Sequence, residues 1–103
     1  MTTNPAPSAP SSGVGDQPFG AYYYGHCCGK PYYRNDEWMA FFGGIADRTV
    51  ESIAPTRVLD TGCAIGLLVE ALRDRGVEAF GIDLSSYAME QLHEKVKPYC
   101  RRG

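Results

Sequence analysis

Two acids and a glycine turn are the residues whose types and spacing could do chemistry. The run Asp60-Thr61-Gly62-Cys63-Ala64-Ile65-Gly66 follows the apolar stretch Val58-Leu59 and precedes a helical pattern. Gly62 and Gly66 let the backbone turn tightly and come close to a ligand, because neither carries a Cβ. In open α/β sheets such a turn lies at the carboxyl ends of the strands, where small molecules bind. A dinucleotide turn, G-x-G-x-x-G, fits poorly: counted from Gly62, its second glycine falls on Ala64 and its third on Leu67. Asp60 would also repel a pyrophosphate. A carboxylate there suits an adenosyl ligand that carries an ammonium and a sulfonium instead. The second acid, in Gly81-Ile82-Asp83-Leu84-Ser85, stands at the tip of a second apolar strand, 17 positions after Gly66. A helix and a short strand need about that separation, and such an acid can accept both ribose hydroxyls.

The turn resembles motif I of the class I S-adenosylmethionine-dependent methyltransferases, whose usual form is (D/E)-x-G-x-G-x-G. It departs at the middle glycine, which is Ala64 here. The resemblance covers roughly residues 30–100 and implies S-adenosylmethionine as cofactor. By it, Asp60, Thr61, Gly62, Cys63, Ala64 and Gly66 form the cofactor turn, Asp83 binds the ribose and Leu84 lies against the adenine. It also implies that Tyr32 or Arg34 touches the cofactor, with Arg34 set to pair with the methionine carboxylate. The wording of residues 26–49 is similar to bacterial methyltransferases found among sugar- and glycan-modifying genes. The implied acceptor is therefore a sugar or small metabolite, methylated by in-line displacement. No catalytic residue is assigned.

The elements that must position these residues follow from periodicity. Residues 1–18, rich in Pro and Ser, cannot bury enough surface to offset their ordering entropy and are expected to be a disordered tail. Residues 19–34 are dense in Tyr and broken by Gly25, Gly29 and Pro31, so an ordered cap segment is expected. By the same resemblance, residues 35–103 are expected to form a partial methyltransferase domain. Asn35 reads as an N-cap, with Asp36 and Glu37 in the first helical turn. Trp38, Phe41, Phe42, Ile45, Ala46, Thr49 and Ile53 then follow at helical spacing and give one apolar face, ended by Pro55. Arg57–Asp60 reads as a strand and Leu67–Arg75 as a helix stopped by Gly76. Val77–Ile82 reads as a second strand. A last helix is expected over Ser86–Val96, capped by Ser85 or Ser86, with Ala88, Leu92 and Val96 on one face.

The expected fold is therefore α/β: a Rossmann-like parallel sheet with flanking helices. It is also expected to be incomplete. The family's sheet has about seven strands, and this sequence offers two clear ones. A half sheet would leave a strand edge through which a second copy could associate.

Composition narrows the partners. Ten Lys and Arg against 12 Asp and Glu give a net charge of −2, so no nucleic-acid partner is expected. No apolar run approaches the ~20 residues of a membrane span, and a signal-like start is missing, so a cytoplasmic location is expected. Four cysteines at irregular spacing read as reduced thiols. Cys63 reads as a packed small side chain. His26, Cys27 and Cys28 lack the spacing of a zinc site, and no metal is expected. His93 reads as a surface residue within the last helix. Two rival readings stand beside the methyltransferase: a nicotinamide-dinucleotide-binding fragment of an oxidoreductase, and a non-catalytic interaction fragment.

Overall fold

The computed structural model describes residues 20–26 and 28–103. The tail expected at 1–18, with Phe19 and Cys27, lies outside the described residues. The elements, in order, are helix α1 (Ala21–His26), helix α2 (Asp36–Ser52), strand β1 (Arg57–Thr61), helix α3 (Leu67–Asp74), strand β2 (Glu78–Asp83), helix α4 (Ser86–Glu90), a 3-10 turn (Lys97–Tyr99) and strand β3 (Cys100–Arg102).

Local chemistry sets the boundaries. Asn35 Oδ1 accepts the Trp38 N–H at 2.8 Å and so starts α2. At the end of α3, Gly76 adopts φ 84°, its N–H donates to Arg73 O, and the Val77 N–H donates to Leu72 O. This is a Schellman closure that reverses the chain into β2. Ser85 Oγ accepts the Ala88 N–H at 3.0 Å and starts α4.

Among the described residues the sheet has three parallel strands in the order β1-β2-β3. The fold is thus an open Rossmann-like parallel sheet with flanking helices. Val58 and Asp60 of β1 pair with Ala79 and Gly81 of β2, and Gly81 pairs in turn with Cys100 of β3. Register partners share a sheet face. On this face Val58 and Ala79 join Val69, Ala71 and Leu72 of α3 in the core. Leu59 lies on the opposite face and is exposed, and the outer edge of β1 is unpaired among the described residues.

Three sequence expectations need correction. First, α2 buries only part of the predicted stripe: Ala46 is buried and Trp38, Phe42 and Thr49 are half-buried. Phe41 is 56% exposed and Ile53 71%, while Gly43, which the stripe did not include, is buried. Gly43 marks the close approach at this face, where an added Cβ would stand 3.1 Å from the Arg75 guanidinium. Second, the last helix ends at Glu90 instead of Val96. His93 Nδ1 accepts the Lys95 N–H there, a local bond that competes with helical pairing. His93 accordingly sits in a turn. Leu92 and Val96 are buried as expected, but they pack over Gly66 from that turn. Third, the released chain forms β3, a strand that the sequence reading did not contain.

Gly81 is the tightest point of the sheet, since an added Cβ would lie 2.7 Å from both Cβ and Sγ of Cys63. Gly81→Ala should therefore lower stability by roughly 1–3 kcal/mol through overpacking. Gly44→Ala, inside α2 with nothing within 4 Å of the new methyl, should raise it by up to about 1 kcal/mol through helix propensity. Thermal melts of both variants check the pair of signs.

Candidate cofactor-binding site

The carboxyl edge of the sheet is where the turn between β1 and α3 meets the tip of β2. Ile82 O accepts both the Gly62 N–H at 2.7 Å and the Cys63 N–H at 2.9 Å. Asp83 Oδ2 accepts the Ala64 N–H at 2.7 Å, and its Oδ1 accepts the Ser85 N–H at 2.9 Å. The turn is left-handed at three places: Gly62 (φ 77°), Ala64 (φ 53°) and Gly66 (φ 79°). The alanine that replaces the motif's middle glycine thus keeps a conformation that favours glycine, at a cost of roughly 1 kcal/mol.

A cleft of about 550 Å³ opens beside this turn, within the size range of small-molecule sites. Of the residues singled out in the sequence, Tyr32, Thr61, Gly62, Ala64, Asp83 and Leu84 line it. Four others do not. Asp60 stands behind the turn at the same end of the sheet, where burial first, and then the charge of Asp83, push its carboxyl above the ordinary value. Cys63 is directed onto Gly81. Gly66 is covered by Leu92 and Val96.

Arg34, expected to pair with a methionine carboxylate, does not line the cleft and is engaged with α3. Its guanidinium forms a bidentate pair with Glu70 of α3, at 3.0 and 2.6 Å. Glu70 is 1% exposed and needs a cation there. The Arg34 bond holds the Glu70 carboxyl below the usual carboxylate range.

Sequence reasoning expected a tyrosine-dense cap but assigned only Tyr32 and Arg34 of it to the site. Tyr23, Tyr24, Cys28 and Trp38 contribute to its wall, as does Gly103, whose N–H donates to Asp83 O at 2.9 Å. Tyr24 is sandwiched between Tyr32 and Tyr87, with ring centroids 5.7 and 5.6 Å away. Burial pushes the Tyr24 hydroxyl up to about 12 and raises Tyr32 as well. Both are therefore neutral hydrogen-bonding groups at physiological pH. The density of tyrosine in residues 19–34 was the available signal, but a packed loop and a ligand wall share that composition. Among the described residues, no group of three or more His, Cys, Asp or Glu could hold a metal ion. Nor is any helix there long and apolar enough to cross a membrane.

A glycine turn, a second acid beyond it and an open parallel sheet define a class of small-molecule-binding α/β proteins. Within that class, the chain's resemblance is to the class I methyltransferases. Over 49 residues it is 41% identical to the ubiquinone biosynthesis O-methyltransferase of Leptothrix cholodnii, a match that covers 46% of this chain and 21% of that protein. The chain therefore matches about a fifth of the length of this curated relative. The solved structure of YjhP from E. coli matches with a TM-score of 0.49 at 25% identity, covering 82% of this chain and 35% of that one. No family model matches the chain.

Two predictions follow from the geometry. Ala64→Gly should relieve the left-handed alanine and raise stability by up to about 1 kcal/mol, because glycine's larger unfolded-state entropy offsets part of the gain. Urea unfolding measures it. Arg34→Ala should cost about 2 kcal/mol at neutral pH. This is less than a fully buried pair would lose, because Arg34 is 38% exposed and Lys95 Nζ still stands 3.6 Å from Glu70. The depressed Glu70 carboxyl contributes stability that is fully present above its ordinary value of 4.5. That contribution is lost as pH falls through the lower folded value. The gap between wild type and variant should accordingly shrink in acid, as read from unfolding curves taken across that range.

Proposed function

We propose that this chain binds S-adenosylmethionine as the N-terminal part of a methyltransferase that acts on an acceptor oxygen of a small metabolite. The observation that carries the reading is the placement of Asp83. Its two oxygens are each anchored by one backbone N–H, and a carboxylate oxygen has two lone pairs. One acceptor position per oxygen is left for a pair of vicinal ribose hydroxyls at a residue that lines the cleft. Ile82 and Leu84 supply apolar surface beside it for an adenine. The turn at Gly62 and Ala64 receives the amino acid portion, with Asp60 behind it as the favourable charge for an ammonium. This donor set fits a cationic adenosyl compound better than a pyrophosphate, which two carboxylates would repel.

When bound, S-adenosylmethionine supplies an electrophilic methyl group. The residues of this chain bind and orient it, and the tyrosine cover limits access of water to the cleft. The oxygen acceptor rests on what the curated relative's name says of that protein. The rest of an acceptor site, in this reading, belongs to a longer enzyme to which this segment corresponds.

Calorimetry with S-adenosylhomocysteine tests the proposal. The wild-type chain should bind it, and Asp83→Asn should weaken binding by about ten-fold or more, the loss of one charge-assisted hydrogen bond. A melt of the variant separates lost affinity from lost fold. Binding of NAD with no heat from S-adenosylhomocysteine would transfer the assignment to the dinucleotide class.

A further inference from the structure

The structure assigns Cys63 and Cys100 as a disulfide-forming pair that fastens the cofactor turn to β3. Cys100 is the register partner of Gly81, so its side chain rises on the face of the sheet that Cys63 covers. Cys63 lies so close over Gly81 that an added Cβ would meet its Cβ and Sγ at 2.7 Å. From the other side, Cys100 Sγ stands 3.5 Å from where a Cβ on Gly66 would be. The two glycines therefore clear the space into which both thiols project, and both cysteines are free.

The environments of the two sulfurs differ. The Cys63 thiol is buried and directed to Ala64 O at 3.6 Å, and its neighbour Cys100, its burial and the charges of Asp60 and Asp83 push its ionisation up. Cys100 is held below the ordinary thiol value by the neighbouring Cys63 first, with the Gly81 backbone and the charge of Arg73 adding to it against burial and Asp60. Cys100 is also half-buried, whereas Cys63 is closed off. The nucleophile is thus Cys100 and the resolving thiol is Cys63.

With hydrogen peroxide as oxidant, the Cys100 thiolate attacks one peroxide oxygen. The O–O bond breaks, the departing hydroxide is protonated to water, and Cys100 becomes a sulfenic acid. The Cys63 sulfur then attacks the Cys100 sulfur. The S–O bond breaks, and the leaving hydroxide takes the Cys63 proton as water. The two thiols are oxidised by two electrons to one disulfide, and the peroxide is reduced to two waters. Because the Cys63 N–H is bonded to Ile82 O and the next residue is held by Asp83, drawing Cys63 toward Cys100 shifts the turn at its centre. This second consequence rests on the cofactor reading above; the bond itself does not.

The test is mild peroxide treatment of the full chain, then alkylation of the remaining thiols and peptide mapping by mass spectrometry. The expected result is loss of two hydrogens, a Cys63–Cys100 linked peptide, and alkylation confined to Cys27 and Cys28. Dithiothreitol should reverse it, and both Cys100→Ser and Cys63→Ala should abolish it. Cys100→Ser keeps the test usable where the buried Cys63→Ala fails to fold. A linkage that maps to Cys27 or Cys28, a cross-link between chains, or two alkylated sulfurs at Cys63 and Cys100 overturns the pair. On the mapped disulfide form, S-adenosylhomocysteine affinity should fall by about ten-fold and recover on reduction. An unchanged affinity overturns the coupling to the turn. Failure of the reduced chain to bind at all counts against the proposed function and leaves the mapping result to judge the thiol pair.

Discussion

The carboxylate of Asp83 holds together three segments of the chain. It stands at the end of β2, accepts a backbone N–H from the turn before α3 through one oxygen, and accepts one from the start of α4 through the other. Charge-assisted bonds to backbone donors are short and strong, and they orient as well as attract. One residue earlier, Ile82 O takes the two N–H groups that begin the turn. The shape of the cleft floor is therefore set by the last two residues of a neighbouring strand. A side chain already fixed for this structural task is also well prepared for a ligand, since little rotamer freedom is lost on binding.

The cover of the cleft depends on a different kind of interaction. Tyr24 is held by stacking between Tyr32 and Tyr87, and Trp38 meets Tyr32 edge to face at 4.7 Å. Ring contacts of this kind fix distance better than they fix registry along the groove. The bidentate Arg34–Glu70 pair supplies the registry. It joins the end of the tyrosine segment to α3 in one geometry, because a carboxylate as buried as Glu70 cannot be left without its partner. The placement of the aromatic wall over the turn thus follows from an ion pair about one helical turn beyond Gly66.

Much of the fold was legible in the sequence because its signals are local. Asn35, Gly76 and Ser85 end or begin elements through bonds to residues within a few positions, and the structure places all three as the sequence reading did. The strands and the glycine turn were visible for the same reason. What was not legible depends on contacts between distant segments. The orientation of α2 is decided by the close approach of α3 at Gly43, and no periodicity in α2 contains that information. β3 is three residues long and follows a Pro-containing turn, so it has no alternation to detect. Arg34 invited a reading as a ligand-binding cation, since the burial of Glu70 that claims it belongs to the packing of α3. Of the residues that line the candidate cleft, Thr61, Gly62, Ala64, Asp83 and Leu84 stand in the motifs, whereas Tyr23, Tyr24, Cys28 and Trp38 share a composition common to any packed aromatic segment.

The strain in the turn connects these observations. Three left-handed residues fall within five positions, and one of them carries a methyl group. Such a conformation persists only where the surroundings over-determine it. Here they do: the Ala64 N–H is held by Asp83, Cys63 is wedged against Gly81, and Gly66 lies under Leu92 and Val96. The middle position can therefore accept alanine without losing the shape of the motif, because the turn is imposed from outside rather than by glycine at every step. Ala64 itself lines the cleft. The open backbone of the turn is then at Gly62, where nothing lies within 4 Å of a would-be Cβ.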